Sequence, residues 1–422
     1  MKALRLECRR VAQSIGVIVG AGVLLLPSCL IAQQNGVLNV AKTITIDGEK
    51  ALLMPVGEVV IGPGGTIAIV QPLVRSVRLF DSGGAAVITL GRNGDGPGEF
   101  RSISRIGWSG DTLWVIDSQL KRVTFFSRDG DVFRTEGAPM QAQPLAGKVD
   151  RFPEFRSASA VARLPDGSFI VYAHLTAGGP TSPLWGRTAM TYLRTAADGS
   201  ILHLVASVPD ITNHEQYAYY HTFADGSRKG RPFPFAAPPE YEVSADGMYS
   251  VVRAVGGRDP ATAFVRLTMI RSDGDTTYSK AYLVPAIALP RNVADSAIAA
   301  TVSSMRDARG MRPSSWTDGA LRSAASAWQE RAEDHVPPFF PPVPQNSPTV
   351  IGRDGSVWIP LRETAEGRPY LVLDAEGNAI GQPVFPASVR IAAADATVAW
   401  GVELDENDVP SLVRYRLSLQ NR

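Results

Sequence analysis

The alternation of apolar and polar positions is clearest between Gly91 and Gly130, GRNGDGPGEFRSISRIGWSGDTLWVIDSQLKRVTFFSRDG. A glycine-rich lead-in precedes two short alternating runs, 112–116 and 122–126, each followed by turn residues. A period of two predicts strands with one face in a core, and the turn residues predict hairpins between them. Residues 66–84 lie over 112–130 without a gap at an offset of 46, with Thr66/Thr112, Val77/Val123, Phe80/Phe126 and Gly84/Gly130 identical. A repeat of that length predicts a propeller blade of four antiparallel strands.

Later copies carry insertions. Asp166-Gly167, Asp246-Gly247 and Asp354-Gly355 each open a second strand, and Asp198-Gly199, Asp273-Gly274 and Glu376-Gly377 mark the outer turns. Such pairs favour the positive backbone angles of hairpin turns. A sixth copy, from Val389 to Leu417, ends one strand short, and 39–48 (NVAKTITIDG) reads as the missing strand. The expectation is an all-β, six-bladed β-propeller over 38–420, closed by pairing of its two chain ends. Closure would remove exposed sheet edges.

One segment breaks the pattern. Residues 293–309 and 315–332 are apolar at helical spacing (Ile298, Val302, Met305; Leu321, Ala325, Trp328), with Asp295 and Ser314 or Ser315 read as caps. They predict a helical hairpin over 291–332, inserted between the fourth and fifth blades. A lid, a docking element and packing on the rim are all open to it. Rim packing is the plainer reading, since an amphipathic hairpin must cover something.

The lead-in GRNGDGPGEF and the strand pair ending VIDSQLKRVTFFSRDG resemble the NHL repeat. More closely, they are similar to exported bacterial six-bladed propellers whose repeats begin with a GxGPGEF-type loop. The resemblance is specific over 60–135 and weakens in later blades. It implies the funnel-like NHL/TolB-like propeller and says little of function, because such wheels serve as binding platforms, lyases, lactonase-like hydrolases and sensors.

Composition adds the compartment. Four basic groups (Lys2, Arg5, Arg9, Arg10) precede an uncharged apolar run from Val11 to Leu26, so 1–32 reads as a signal peptide. Leu26-Pro27-Ser28-Cys29 resembles a lipobox, with Cys29 lipidated. Cleavage after Ala32 is the competing reading, and both export the protein to the periplasm, a membrane anchor or the medium. The other cysteine, Cys8, lies in the leader, which excludes an intrachain disulfide and a thiolate site in the mature chain. The net charge of +1 carries no strongly basic balance, so nucleic acid is not an expected partner.

Strand parity then locates the working end. The turns joining first to second and third to fourth strands fall on one end of each blade and are short. The other connections fall on the opposite end and hold the insertions 91–102, 141–157, 173–189, 207–238, 254–262 and 286–346. Long loops on a rigid scaffold are where binding usually resides. The segment 210–238 is the richest, and His214, Tyr217, His221 and Arg231, with Arg187 and Arg253, are the candidate ligand-binding residues. Arginines recur on that end (Arg101, Arg151, Arg156, Arg258, Arg362, Arg368) among acids, which fits an anionic ligand or a solvated surface alike. His214, Glu215 and His221 match no zinc spacing, so no metal site is assigned. Asp117 and Arg122 bracket a hairpin and read as its fasteners, and Glu99 reads as a turn residue or one facing a central cavity.

Two functions compete. One is a cell-envelope binding or scaffold module for a protein, peptide or glycan. The other is a lactonase-like hydrolase or lyase with a divalent ion such as calcium at the axis. The inner strands, read as VVIG, RIGW, VARL, EVS, TVIG and VRIA, show no repeated Glu, Asn or Asp at equivalent positions, which favours the first. The catalytic residues of the second are unassigned.

Overall fold

The computed structural model describes residues 38–53, 55–139, 155–175, 187–306 and 315–419. Residues 1–37, Cys29 among them, and Arg151 lie outside them, as do the side chains of Arg156 and Arg187. Among the described residues no helix is long and apolar enough to cross a membrane.

Six antiparallel sheets follow one another as blades, five of them four-stranded and the fifth blade with its outer edge divided between Ala379–Gly381 and Val384–Phe385. Blade one runs from Val59–Ile61 to Ala86–Leu90, blade two from Ile103–Ser109 to Val132–Gly137, and blade three from Phe155–Arg163 to Ile201–His214. Blade four runs from Glu240–Val243 to Thr276–Leu283, and blade five from Val350–Ile351 to Ala379–Gly381. Blade six takes three strands from the C-terminal region and its fourth from Leu38–Ile46, which pairs antiparallel with Pro410–Leu419 in the register Leu38↔Leu419 to Ile46↔Leu412. The closure expected from the sequence is present.

The core has no single centre. Six apolar clusters each lie between two consecutive blades, from Val60, Val70 and Val115 between blades one and two round to Ile46, Ile69 and Trp400 between six and one. Every sheet therefore buries both faces against neighbours, which a radial arrangement requires. The second strand carries a tryptophan among its first three residues in three blades, Trp114, Trp358 and Trp400, all fully buried. Trp358 also donates its indole N–H to the Asp395 carbonyl at 3.2 Å, fastening blade five to the first turn of blade six.

The hairpin signature of blade two is built as its residues suggest. Asp117, fully buried, accepts backbone N–H bonds from Arg101 (2.6 Å), Ser102 (3.1 Å), Gln119 (2.9 Å) and Leu120 (2.8 Å). Arg122 donates to the carbonyls of Asp95, Gly96 and Glu99. The two side chains do not pair with each other. They pin the GDGPGEF loop over the hairpin, and Gly98 at φ 72° supplies a turn that a Cβ would strain. Glu99 stays inside this loop, accepting from Gly96 N and Arg92 Nε at 2.8 Å each, and does not line the axis.

Two insertions depart from the expected boundaries. Helix α1 spans Arg291–Arg306 and helix α2 spans Asp318–Asp334. Helix α1 begins directly after Pro290, whose carbonyl accepts the N–H groups of Val293 and Ala294 at 3.0 and 3.2 Å. Asp295 is therefore inside the helix, paired with Arg291 at 2.8 Å, and is no cap. Thr317, not Ser314 or Ser315, caps α2 by accepting from Ala320 N at 3.2 Å. The segment read as a loop after blade three contains a two-stranded hairpin, Ala218–Thr222 with Arg228–Pro232, turning at Asp225-Gly226. This hairpin is what the helices cover. Phe233 packs with Ile298, Val302, Met305 and Trp328, while Phe223 packs with Leu321 and Ala324.

Candidate functional site

Because every blade is a simple antiparallel meander, strand parity holds throughout. The turns 62–66, 110–111, 164–168, 244–248, 352–356 and 395–397 lie at one end of the axis. The other end carries the GDGPGEF loop, the 218–232 hairpin, both helices and the connection to blade one.

On the axis, the inner strands of blades one, two, four, five and six line a cavity of about 430 Å³. Its walls are mostly Val, Ile and Ala, interrupted by Glu58, Arg105, Glu242, Arg353 and Arg390. The pairing register shows how these arise. Facing the fourth or fifth residue of the second strand stand Arg105 (opposite Ile116), Ser159 (Tyr172), Glu240 (Arg253) and Arg390 (Val402). Glu58, whose carbonyl accepts from Val70 N at 2.9 Å, holds the same place in blade one, and Pro348 holds it in blade five. Polar groups thus do recur at equivalent axial positions, contrary to the reading of the inner strands. That reading started one residue late in blade one and two residues late in blade four, and so left out Glu58 and Glu240 while it kept Glu242.

Two of these acids have partners. Glu58 accepts from Ile106 N at 2.8 Å and pairs with Arg105 Nε at 3.5 Å. Burial raises its pKa, and the Arg105 charge opposes this. Glu240 pairs with the Arg253 guanidinium. Arg253 is 4% exposed and also donates to the Ser347 carbonyl (3.0 Å) and Thr349 Oγ1 (2.9 Å), joining blade four to the start of blade five. Burial raises the Glu240 pKa and lowers that of Arg253.

Glu242 is different. It lies two residues deeper than Glu240, lines the cavity, and its side chain makes no hydrogen bond or ion pair with any described residue. Burial pushes its pKa up to about 7; the Arg105 and Arg253 charges oppose this, while Glu240 and Glu58 add to it. Arg390 likewise has no hydrogen bond or ion pair among the described residues, and it is exposed. It lines both the axial cavity and a second one of about 570 Å³ at the long-loop end, beside Leu73, Arg368 and Leu404. Leu73 and Leu404 are 76% and 44% exposed there.

The candidates named from the sequence gather elsewhere, apart from Arg253. His214 ends the last strand of blade three, opposite Arg187 in register, with its ring 5.5 Å from that of Tyr217. Burial raises the Tyr217 pKa. His221 lies edge-on to Phe223 at 5.0 Å within the inserted hairpin. The Arg231 carbonyl accepts the Trp328 indole N–H at 2.9 Å. These residues sit where the hairpin meets blade three and the helices, and none lines the axial cavity. Among the described residues no group of three or more His, Cys, Asp or Glu is placed to hold a metal ion.

No family model and no curated protein matches the chain. Solved structures resemble it in fold. A member of the DUF4221 family from Bacteroides vulgatus has a TM-score of 0.49 at 13% identity, over 92% of this chain and 100% of that one. A Bacteroides fragilis protein described as exported has 0.41 at 11%, over 92% and 97%. An inactive virginiamycin B lyase from Staphylococcus aureus, solved with quinupristin, has 0.37 at 11%, over 90% and 99%. These likenesses concern the fold alone.

Proposed function

We propose that this chain is an exported cell-envelope propeller with NHL-like repeats. It acts as a binding or scaffold module that holds a protein, peptide or glycan on its long-loop end. One observation carries the reading: every sizeable insertion projects from the end where the axial cavity and the 570 Å³ mouth cavity meet at Arg390. A pocket with apolar walls and a few convergent charges is the usual form of a ligand site. Export rests on the leader, and an anchor at Cys29 would keep the module at a membrane surface. The alternative of a divalent-ion hydrolase or lyase is not favoured, since Glu58 and Glu240 are each paired with an arginine and, among the described residues, no three acids or histidines are placed to share an ion.

Site-specific photo-crosslinking in the producing cell tests the reading. A benzophenone side chain at Leu73 or Leu404 should give discrete adducts, whereas one at Arg128 or Glu376, in the short turns, should give none. Adducts only from the short turns, or from neither end, would overturn it.

A further inference from the structure

The charges that line the axis do not all cancel. Glu58 has Arg105 and Glu240 has Arg253, but among the described residues Glu242, Arg353 and Arg390 have no ion-pair partner, and no ion pair joins them to one another. A half-buried carboxylate in a cavity walled by Val243, Val350 and Ala393 is unfavourable unless something donates to it. Beside it the neighbouring acids have their donors. Among the described residues the cavity thus presents one negative side chain without a partner, Glu242 on the inner strand of blade four, and two positive ones, Arg390 on the inner strand of blade six at the mouth and Arg353 in the short turn that follows the inner strand of blade five.

Their spacing bears on what fits. Arg390 stands at the register of Glu240, and Glu242 is two residues further in. At roughly 3.3 Å per strand residue, the two levels are about 7 Å apart along the channel, before any separation across it. The ammonium and carboxylate of a single amino acid flank one carbon and do not reach. An extended peptide advances roughly 3.3–3.6 Å per residue, so two or three residues span the gap. The cavity volume of about 430 Å³ accommodates a chain of that length with small side chains, and its aliphatic walls suit apolar ones.

We propose that the axial cavity binds a short apolar peptide with both ends free, its ammonium on Glu242 and its carboxylate on the guanidinium of Arg390. The proposal rests on the long-loop binding reading and gives it a ligand class. Arg390 sits at the mouth, so the peptide enters amino end first and leaves its carboxylate at the opening.

Calorimetric titration of the full chain with trialanine, N-acetyl-trialanine and trialanine amide tests this without any variant. Free trialanine should bind, and each cap should weaken binding at least roughly tenfold, as expected for losing a charged hydrogen bond. Glu242→Gln should abolish discrimination against the acetyl cap but keep that against the amide. Arg390→Gln should do the reverse. Binding indifferent to both caps, discrimination that survives both substitutions, or no binding of trialanine at millimolar concentration would each overturn the assignment. Loop-end crosslinks that persist in that last case would show that the ligand class fails while the binding reading stands.

Discussion

The indole nitrogen of Trp328 donates a 2.9 Å hydrogen bond to the carbonyl of Arg231, joining two insertions that leave the wheel at different blades. Around that bond Trp328 is fully buried against Phe233, Ile298, Val302 and Met305. Trp328→Phe should keep most of the contact and cost about 1 kcal/mol for the lost bond. Trp328→Ala should cost about 3–5 kcal/mol of docking. Amide exchange will show it: protection should fall in 218–232 and both helices, with blades one and two unchanged.

Asp117 offers a second test, because one carboxylate terminates four backbone donors of blade two. Asp117→Ala leaves those N–H groups without an acceptor in a site with no exposure. A loss of about 2–4 kcal/mol is expected, read from chemical denaturation. Arg122→Ala should loosen the GDGPGEF loop more selectively. Faster proteolysis within 94–99 would report it, at little cost to global stability.

These residues also show what the sequence could disclose. Asp117, the Asp-Gly turns and the split sixth blade were legible because each is a local signal: a turn type, a period of two, a missing strand. The axial charges were not. Glu58 and Arg105 become equivalent only through the cross-strand register, and inner strands as short as Val59–Ile61 give too few residues to align by eye. The 218–232 hairpin was missed for another reason. The dense tyrosines, histidines and basic residues around its Asp225-Gly226 turn suggest a ligand, whereas Tyr219, Phe223 and Phe233 pack against helices distant in sequence.

Ring closure makes a prediction about association. The pairing of Leu38–Ile46 with Pro410–Leu419 is the bond between the two ends of the wheel. Deleting 38–46 should leave 410–419 as an unpaired edge. Exposed edges recruit other strands. The truncated chain should form dimers or larger species by light scattering and melt at lower temperature. Adding 38–46 as a separate peptide should restore the monomer.

Acidity should tune stability through Glu242. Its carboxyl titrates at about 7 in the folded protein, against 4.5 ordinarily, because burial outweighs the attraction of Arg105 and Arg253 and because Glu240 and Glu58 lie nearby. A folded pKa above the unfolded one means that the native state holds the extra proton between those two values. Stability contributed by this group is therefore present below about pH 4.5 and is lost as pH rises through about 7. Its full size is on the order of 3 kcal/mol, an upper bound for a side chain that is only partly buried. Glu58 and Glu240 are displaced in the same direction and add to the slope. The wild-type chain should accordingly melt at higher temperature near about pH 5 than near about pH 8. Glu242→Gln, uncharged throughout, should flatten that difference and gain most at the alkaline end. Melting curves whose pH dependence is unchanged by the substitution would show that burial in the channel wall does not displace the titration of this acid.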